Sequence, residues 1–228
     1  MEERNFALLT SLLAVIACSS VVVPSATAGS ADLKAAHERA PARSQTVQVL
    51  ASDVRFEDLD LVDQDGRSVR FLRDVVGDNL VVMNFIFTTC PSVCPMQSAI
   101  FAGIQSQLGD RLGQEVKLVS VSIDPKTDVP QRLKAYAQRY DADDGWIWLT
   151  GEKQYIDRIL VGAGAYSSDV AEHPAMILVG DGKYGGWTRF YGFPKPSSVL
   201  ARVDELAGAR EKRAVARKAD ESGDGRER

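Results

Sequence analysis

The run Leu80-Val81-Val82-Met83-Asn84-Phe85-Ile86-Phe87 constrains this chain more than any other feature. It is nearly all apolar and too short for an ordinary helix, so it reads as a central strand buried on both faces. A strand of that kind needs helices above and below it, and the rest of the sequence supplies them. Residues 96–112 place Ile100, Phe101, Ile104, Leu108 and Leu112 at helical spacing. A second buried strand is expected over 116–123, a helix opened by Pro130 and running to about Tyr140, a short strand over 146–149, and a helix over 153–161 stopped by Gly162 and Gly164. Upstream, the alternation from Arg55 to Leu72 around Asp63-Gln64-Asp65-Gly66 predicts a β-hairpin. Downstream, 175–179 and 187–191 flank a glycine-rich turn and predict another. A last helix is expected from Pro196 to at least Leu206. The pattern predicts an α/β fold, a mixed sheet flanked by helices; a thioredoxin-like architecture with an N-terminal β-hairpin fits the order, among the several topologies that the pattern alone allows.

Charge and composition narrow the function. With 27 Lys+Arg against 31 Asp+Glu the 228 residues carry a formal charge of −4, which argues against a nucleic-acid partner. At 45% apolar and 25% charged residues the chain is neither disordered throughout nor a multi-span membrane protein. Three cysteines and two histidines exclude an iron–sulfur cluster held by four thiolates and argue against a zinc finger or disulfide scaffold.

The first residues read as an address. Residues 6–23 are largely apolar and end at Pro24, and Ala26-Thr27-Ala28 has the small-x-small form of a signal-peptidase site, which assigns 1–28 to a signal peptide. Val15-Ile16-Ala17-Cys18 offers a second reading, a lipoprotein signal ending before a lipid-modified Cys18. An uncleaved anchor helix is a third. All three export the domain to the periplasm, or attach it to a membrane facing the periplasm. Residues 29–53, with His37, read as a linker in which that histidine has no chemical task. The domain proper is expected over 54–207. The charged stretch 208–228 is expected to be disordered or a frayed extension of the last helix.

The chemistry is expected where the main strand meets the first long helix, at Cys90-Pro91-Ser92-Val93-Cys94-Pro95. Ligands of open α/β sheets sit beyond the carboxyl ends of such strands. Cysteines four apart in a helical turn share one face, and a helix N-terminus favours thiolate. The pair suits either a soft metal or a Cys90–Cys94 disulfide. Copper in its cuprous state accepts two thiolates and one imidazole. His173, in Ala171-Glu172-His173-Pro174 just before an apolar strand, is the imidazole available, since Pro174 keeps it in extended backbone. Asp124, at the end of the second buried strand, either contacts the metal surroundings or a partner, or simply ends the strand with Pro125. Asp128 reads as a helix cap. Trp146, Trp148 and Trp187 read as core.

These residues resemble the SCO/SenC family of copper-handling proteins, which are thioredoxin-like and serve assembly of the copper centre of cytochrome oxidase. The resemblance lies in Cys90-Pro91-Ser92-Val93-Cys94-Pro95, in the stretch from Ser122 to Pro130 (Ser-x-Asp-Pro-x-x-Asp-x-Pro), and in the distal His173, in order over about 54–206. It departs at the distal site, where Glu172-His173-Pro174 stands for the family's Asp-His-Ser or Asp-His-Thr, and at Val129, where the family commonly has Thr.

The resemblance implies one copper ion, Cu(I) or Cu(II), held by Cys90, Cys94 and His173. Asp124 and Glu172 would stand near the metal or meet the partner. The implied role is an exported metallochaperone serving a cytochrome c oxidase subunit, supplied by a periplasmic copper donor and kept reduced by a thioredoxin-like reductant. The alternative is a thiol–disulfide oxidoreductase with Cys90 as nucleophile and Cys94 as resolving thiol. The cysteine spacing and the residues before Cys90 fit neither a redox thioredoxin nor a peroxiredoxin.

Overall fold

The structure is a computed structural model that describes residues 47–224, with side chains as far as residue 219. Residues 1–46, with the export segment, Cys18 and His37, and residues 225–228 lie outside the described residues. Among the described residues no helix is long and apolar enough to cross a membrane.

The apolar run forms β4, Leu80–Ile86, buried at every position. It pairs in parallel with β5, Val116–Ser122, which pairs in parallel with β6, Trp146–Thr150. On the other side β4 runs antiparallel to β7, Met176–Asp181, which turns back into β8, Gly185–Tyr191. The N-terminal hairpin, β2 at Asp60–Asp63 and β3 at Ser68–Arg70, joins beyond β6. With β1, Gln48–Ala51, at the far edge, the eight strands of the described residues stand in the order β1-β8-β7-β4-β5-β6-β2-β3. This is the mixed α/β sheet expected from the sequence.

Because strand side chains alternate, the sheet buries two separate layers. One gathers Val81, Met83, Phe85, Val119 and Val121 against α3, Lys153–Ala163, which buries Ile156, Ile159 and Leu160. The other gathers Leu80, Val82, Ile86, Leu118, Trp146 and Trp148. It is covered by α1 (Val93–Leu108), α2 (Pro130–Ala137) and the start of α4 (Pro196–Asp224).

Three elements differ from expectation. Gln48–Ala51, placed in the linker, is an edge strand, β1, paired with β8. Phe71 and Leu72, read as the end of the hairpin, instead open a π-helical segment, Phe71–Val76, that buries Phe71, Val75 and Val76. The helix expected over 153–161 runs two residues further, through Gly162 to Ala163, and Gly164, at φ 68°, takes the left-handed form that ends it. The charged stretch after Gly208, expected to be disordered or an extension of the last helix, takes the second form and continues α4 as far as Asp224. Arg210 anchors that extension by two hydrogen bonds of 2.7 Å to the buried Asp181 carboxylate, and the Arg213 guanidinium lies 4.6 Å above the Tyr184 ring.

The β7–β8 pair depends on one glycine. A Cβ on Gly180 would stand 2.1 Å from the Trp187 indole, which covers that backbone. Gly180→Ala is therefore expected to cost about 1–3 kcal/mol through overpacking. A lower denaturant midpoint at unchanged m-value would show it; an unmoved midpoint would mean that β8 gives way freely.

Candidate metal centre

The cysteine loop leaves the carboxyl end of β4 and enters α1 within a few residues. Helix N-termini leave main-chain N–H groups without partners, and here a sulfur meets them in place of the usual oxygen. Ser92, at the cap position, makes no side-chain cap, whereas the Cys94 N–H donates to Cys90 Sγ at 3.4 Å. Pro95, inside the first turn, has no N–H to lose. Burial alone would push the Cys90 thiol up, but the N–H groups of Cys94, Ser92 and Val93 outweigh it and hold its pKa below the usual thiol value. Cys94 faces the apolar layer instead, 4% exposed. Burial, the largest cause, and then the hydrogen bond and charge of Cys90 push it up to about 12, against the Phe87 main chain, which acts to lower it. Both thiols are free.

His173 closes a short 3-10 turn, Val170–Glu172, ahead of β7. Its ring lies 5.9 Å from that of Phe85 and is mostly buried. Burial lowers its pKa to about 4, against a hydrogen bond to the Ala165 main chain that favours the charged form. Its Nε2 is buried without a hydrogen-bond partner. A neutral imidazole that donates through Nδ1 to the main chain presents a bare lone pair at Nε2, the arrangement of a metal-binding histidine.

The two segments share one pocket of about 210 Å³, with Cys90 to Cys94 on one side, Val170, Ala171 and His173 on another, and Phe85 and Phe87 as its apolar lining. The structure thus brings Cys90, Cys94 and His173 to one cavity. Among the described residues, however, no three His, Cys, Asp or Glu side chains are gathered closely enough to enclose a metal ion. The donor set fits a soft metal: two sulfurs and one unpaired nitrogen border the same pocket.

Asp124 and Glu172 stand outside it. Asp124 is half-buried in the turn after β5, and Glu172 is exposed; neither carboxylate makes a hydrogen bond among the described residues. The histidine's orientation is set by Ala165 and not by Glu172. Trp146, Trp148 and Trp187 are buried, as expected.

Asp128, read as a helix cap, does other work. Val129 occupies the cap position of α2, and Asp128 is fully buried beneath the cysteine loop. Its carboxylate accepts from the Thr88 N–H at 3.0 Å, the Thr88 hydroxyl at 2.5 Å and the Ser122 hydroxyl at 2.7 Å. The Ser122 hydroxyl also accepts from the Asp124 N–H, and the Asp124 carbonyl accepts from the Thr127 and Asp128 N–H groups. The Ser122-to-Asp128 spacing therefore builds a closed turn that holds one carboxylate under the loop two residues before Cys90. The signal was present in that spacing, but its target, Thr88, is forty residues upstream.

A family model described as SCO1/SenC matches residues 51–200. The SCO1 protein homolog of Bacillus subtilis (strain 168) is 36% identical over 93 residues, which cover 40% of this chain and 47% of that protein. The chain spans about half the length of the first curated relatives it matches. Among solved structures, Arabidopsis thaliana ScoI with copper bound superposes with a TM-score of 0.58 at 20% identity, over 69% of this chain and 99% of that one. BsSco, described as a member of the Sco family of cytochrome c oxidase assembly proteins and as containing a disulfide switch, superposes with a TM-score of 0.58 at 21% identity, over 70% and 96%. At these identities the likeness is one of fold, and the fold is thioredoxin-like.

Proposed function

Because the chain belongs to the SCO1/SenC family, we propose that it is a copper metallochaperone, taking one copper ion as cargo between the Cys90 and Cys94 sulfurs and His173 Nε2 and passing it to the copper site of a cytochrome c oxidase subunit. The observation that carries this reading is the pocket where two free thiols and one buried, unpaired imidazole nitrogen meet. Cuprous copper is soft and accepts low coordination numbers, which matches that donor set. Arabidopsis ScoI, solved with copper bound, and BsSco, a member of a family of oxidase assembly proteins, lend support. The three ligands close on the ion by movement of the turn that carries His173. Cys94 must lose its proton to bind, so affinity rises with pH while that thiol remains protonated in the free protein. His173, with its pKa near 4, is already neutral at pH 7 and costs nothing there.

The same reading assigns 1–28 to export, or Cys18 to lipid attachment, and so places the domain of 54–207 on the periplasmic side. The carboxylates of Asp124 and Glu172, which make no hydrogen bond among the described residues, face the partner. A periplasmic donor loads the copper, and a thioredoxin-like reductant keeps the pair reduced.

Anaerobic copper titration of the reduced protein tests this. One tight equivalent is expected, lost in Cys90→Ala/Cys94→Ala and lost in His173→Ala, with circular dichroism unchanged. Undiminished affinity in His173→Ala would remove the histidine from the site.

The contrast between the thiols favours a second reading, thiol–disulfide exchange. The Cys90 thiolate attacks a partner disulfide to form a mixed disulfide and expels one partner thiolate. Cys94 then loses its proton, displaces the other partner sulfur and closes Cys90–Cys94, so two electrons pass to the partner. Metal-free turnover that ignores loss of His173 would select this reading.

A further inference from the structure

On the layer that contains Cys94, four readily oxidised rings stand in unbroken contact. Tyr136 of α2 meets Trp148 of β6 edge-on, with centroids 5.5 Å apart. Trp148 stacks on Trp146 at 4.8 Å. Tyr140 lies 6.4 Å from Trp146 and 5.3 Å from Tyr136, and its hydroxyl is 3.4 Å from the Tyr136 hydroxyl. The inner end lies on the Cys94 side of the layer: Tyr136 packs in the same apolar cluster as Cys94, close enough for the charge of that sulfur to act on its phenol. Burial first, then the hydrogen bond to Tyr140, and last the charge of a Cys94 thiolate push the Tyr136 phenol up. The outer end reaches the surface, where Tyr140 is half-buried and Trp146 and Trp148 border a second hollow of about 270 Å³.

Packing alone does not explain this choice of rings. Trp148 Nε1 is buried with no hydrogen-bond partner, a desolvation cost that Phe or Leu would avoid. The opposite layer makes its principal ring contacts from Phe56, Phe71 and Trp187.

We propose that Tyr136, Trp148, Trp146 and Tyr140 form a relay that carries oxidising equivalents from the cysteine pocket to the protein surface. The relay's task rests on the copper reading, because its oxidant arises when a cuprous ion in the pocket meets hydrogen peroxide. The ion gives one electron, becomes cupric, and yields hydroxide and a hydroxyl radical. The radical takes an electron from the Cys94 sulfur and becomes a second hydroxide. Tyr136 returns an electron to that sulfur and gives its phenolic proton to this hydroxide, which becomes water. Electrons then pass inward from Tyr140, directly across its contact with Tyr136 and by way of Trp146 and Trp148. Tyr136 regains a proton and Tyr140 sheds one to solvent, where a dissolved thiol or ascorbate reduces it. Without the relay the sulfurs advance to sulfinic and sulfonic acids, which are not recovered.

Two measurements on the full chain decide it. In the metal-free protein, azide radicals made by pulse radiolysis oxidise tryptophan. Transfer to tyrosine is expected to be first-order and independent of protein concentration, and slowed several-fold in Tyr136→Phe/Tyr140→Phe. In the Cu(I)-loaded protein treated with peroxide, peptide mass spectrometry is expected to find oxidation at Tyr140 and Trp146 with Cys90 and Cys94 recovered. Tyr136→Phe should lower the oxidation at Tyr140 and Trp146 and raise sulfinic acid at the cysteines several-fold, and Trp148→Phe, which leaves the direct Tyr136–Tyr140 contact in place, should shift oxidation from Trp146 to Tyr140. Unchanged transfer in the double variant, or an oxidation pattern unmoved by both single variants, overturns the relay. Failure of the wild type to hold copper overturns the chaperone reading separately, and the radiolysis result still decides the relay.

Discussion

Treated with iodoacetamide at neutral pH, the reduced metal-free protein is expected to take up label at Cys90 and to leave Cys94 unmodified. Only the thiolate reacts, and the two sulfurs differ in how readily they form one. Three N–H groups at the start of α1 hold Cys90 below the usual thiol value, while burial pushes Cys94 up to about 12. At pH 7 the thiolate population is therefore far larger at Cys90 than at Cys94. Intrinsic nucleophilicity falls with pKa and returns roughly half of that advantage on a logarithmic scale, so Cys90 remains the faster thiol. Burial of Cys94 withholds it further. Below the pKa of Cys90 the labelling rate should rise about tenfold per pH unit and then level off. Comparable labelling of both residues would show that the sulfur cap does not form in solution, and with it would go the order of events in the exchange reading.

That asymmetry was only partly legible in the sequence. The loop's position after the most apolar strand and the helix it opens both follow from local pattern, because β4 is buried on both faces and α1 repeats its apolar residues at helical spacing. Which cysteine faces the N–H groups and which faces the core depends on how α1 lies against the sheet, a tertiary fact. β1 escaped notice for a different reason: it is exposed at all four positions, so no alternation marks it, and only the β8 edge makes it a strand. Phe71, Val75 and Val76 carry helical spacing, but over too few residues to compete with the adjacent hairpin pattern. The extension of α4 is poor in large apolar residues, and its anchor, Asp181, lies on another element. His173 was legible by residue type and by Pro174. Its lone pair was not, since the Ala165 main chain that orients the ring is contributed by a loop.

Asp128→Ala is expected to destabilise the protein by about 3–5 kcal/mol and to alter the reactivity of Cys90 although the two residues are not in contact. The substitution removes the only acceptor shown for the Thr88 N–H and leaves the Ser122 hydroxyl without its acceptor, in a place from which Asp128 itself is wholly excluded from water. Hydrogen bonds to a carboxylate are worth more than neutral ones, and buried donors left behind carry their full desolvation cost. Thr88→Val, which loses the hydroxyl's bond to Asp128 and the longer, exposed one it accepts from Arg132 but keeps the N–H bond, should cost about 1–2 kcal/mol. The functional consequence follows from the chain: Thr88 precedes Cys90 by two residues, and the Cys90 sulfur depends on meeting the N–H groups of α1. A loosened loop weakens that meeting, so the thiolate fraction falls and alkylation at pH 7 slows. Asp128→Asn keeps the volume but turns one acceptor into a donor facing donors, and should fall between the two in both readouts. Denaturant midpoints and Cys90 labelling rates that stay at wild-type values in Asp128→Ala would reduce the carboxylate to a bystander. A loss of stability with unchanged labelling would make it a support for the end of β5 alone.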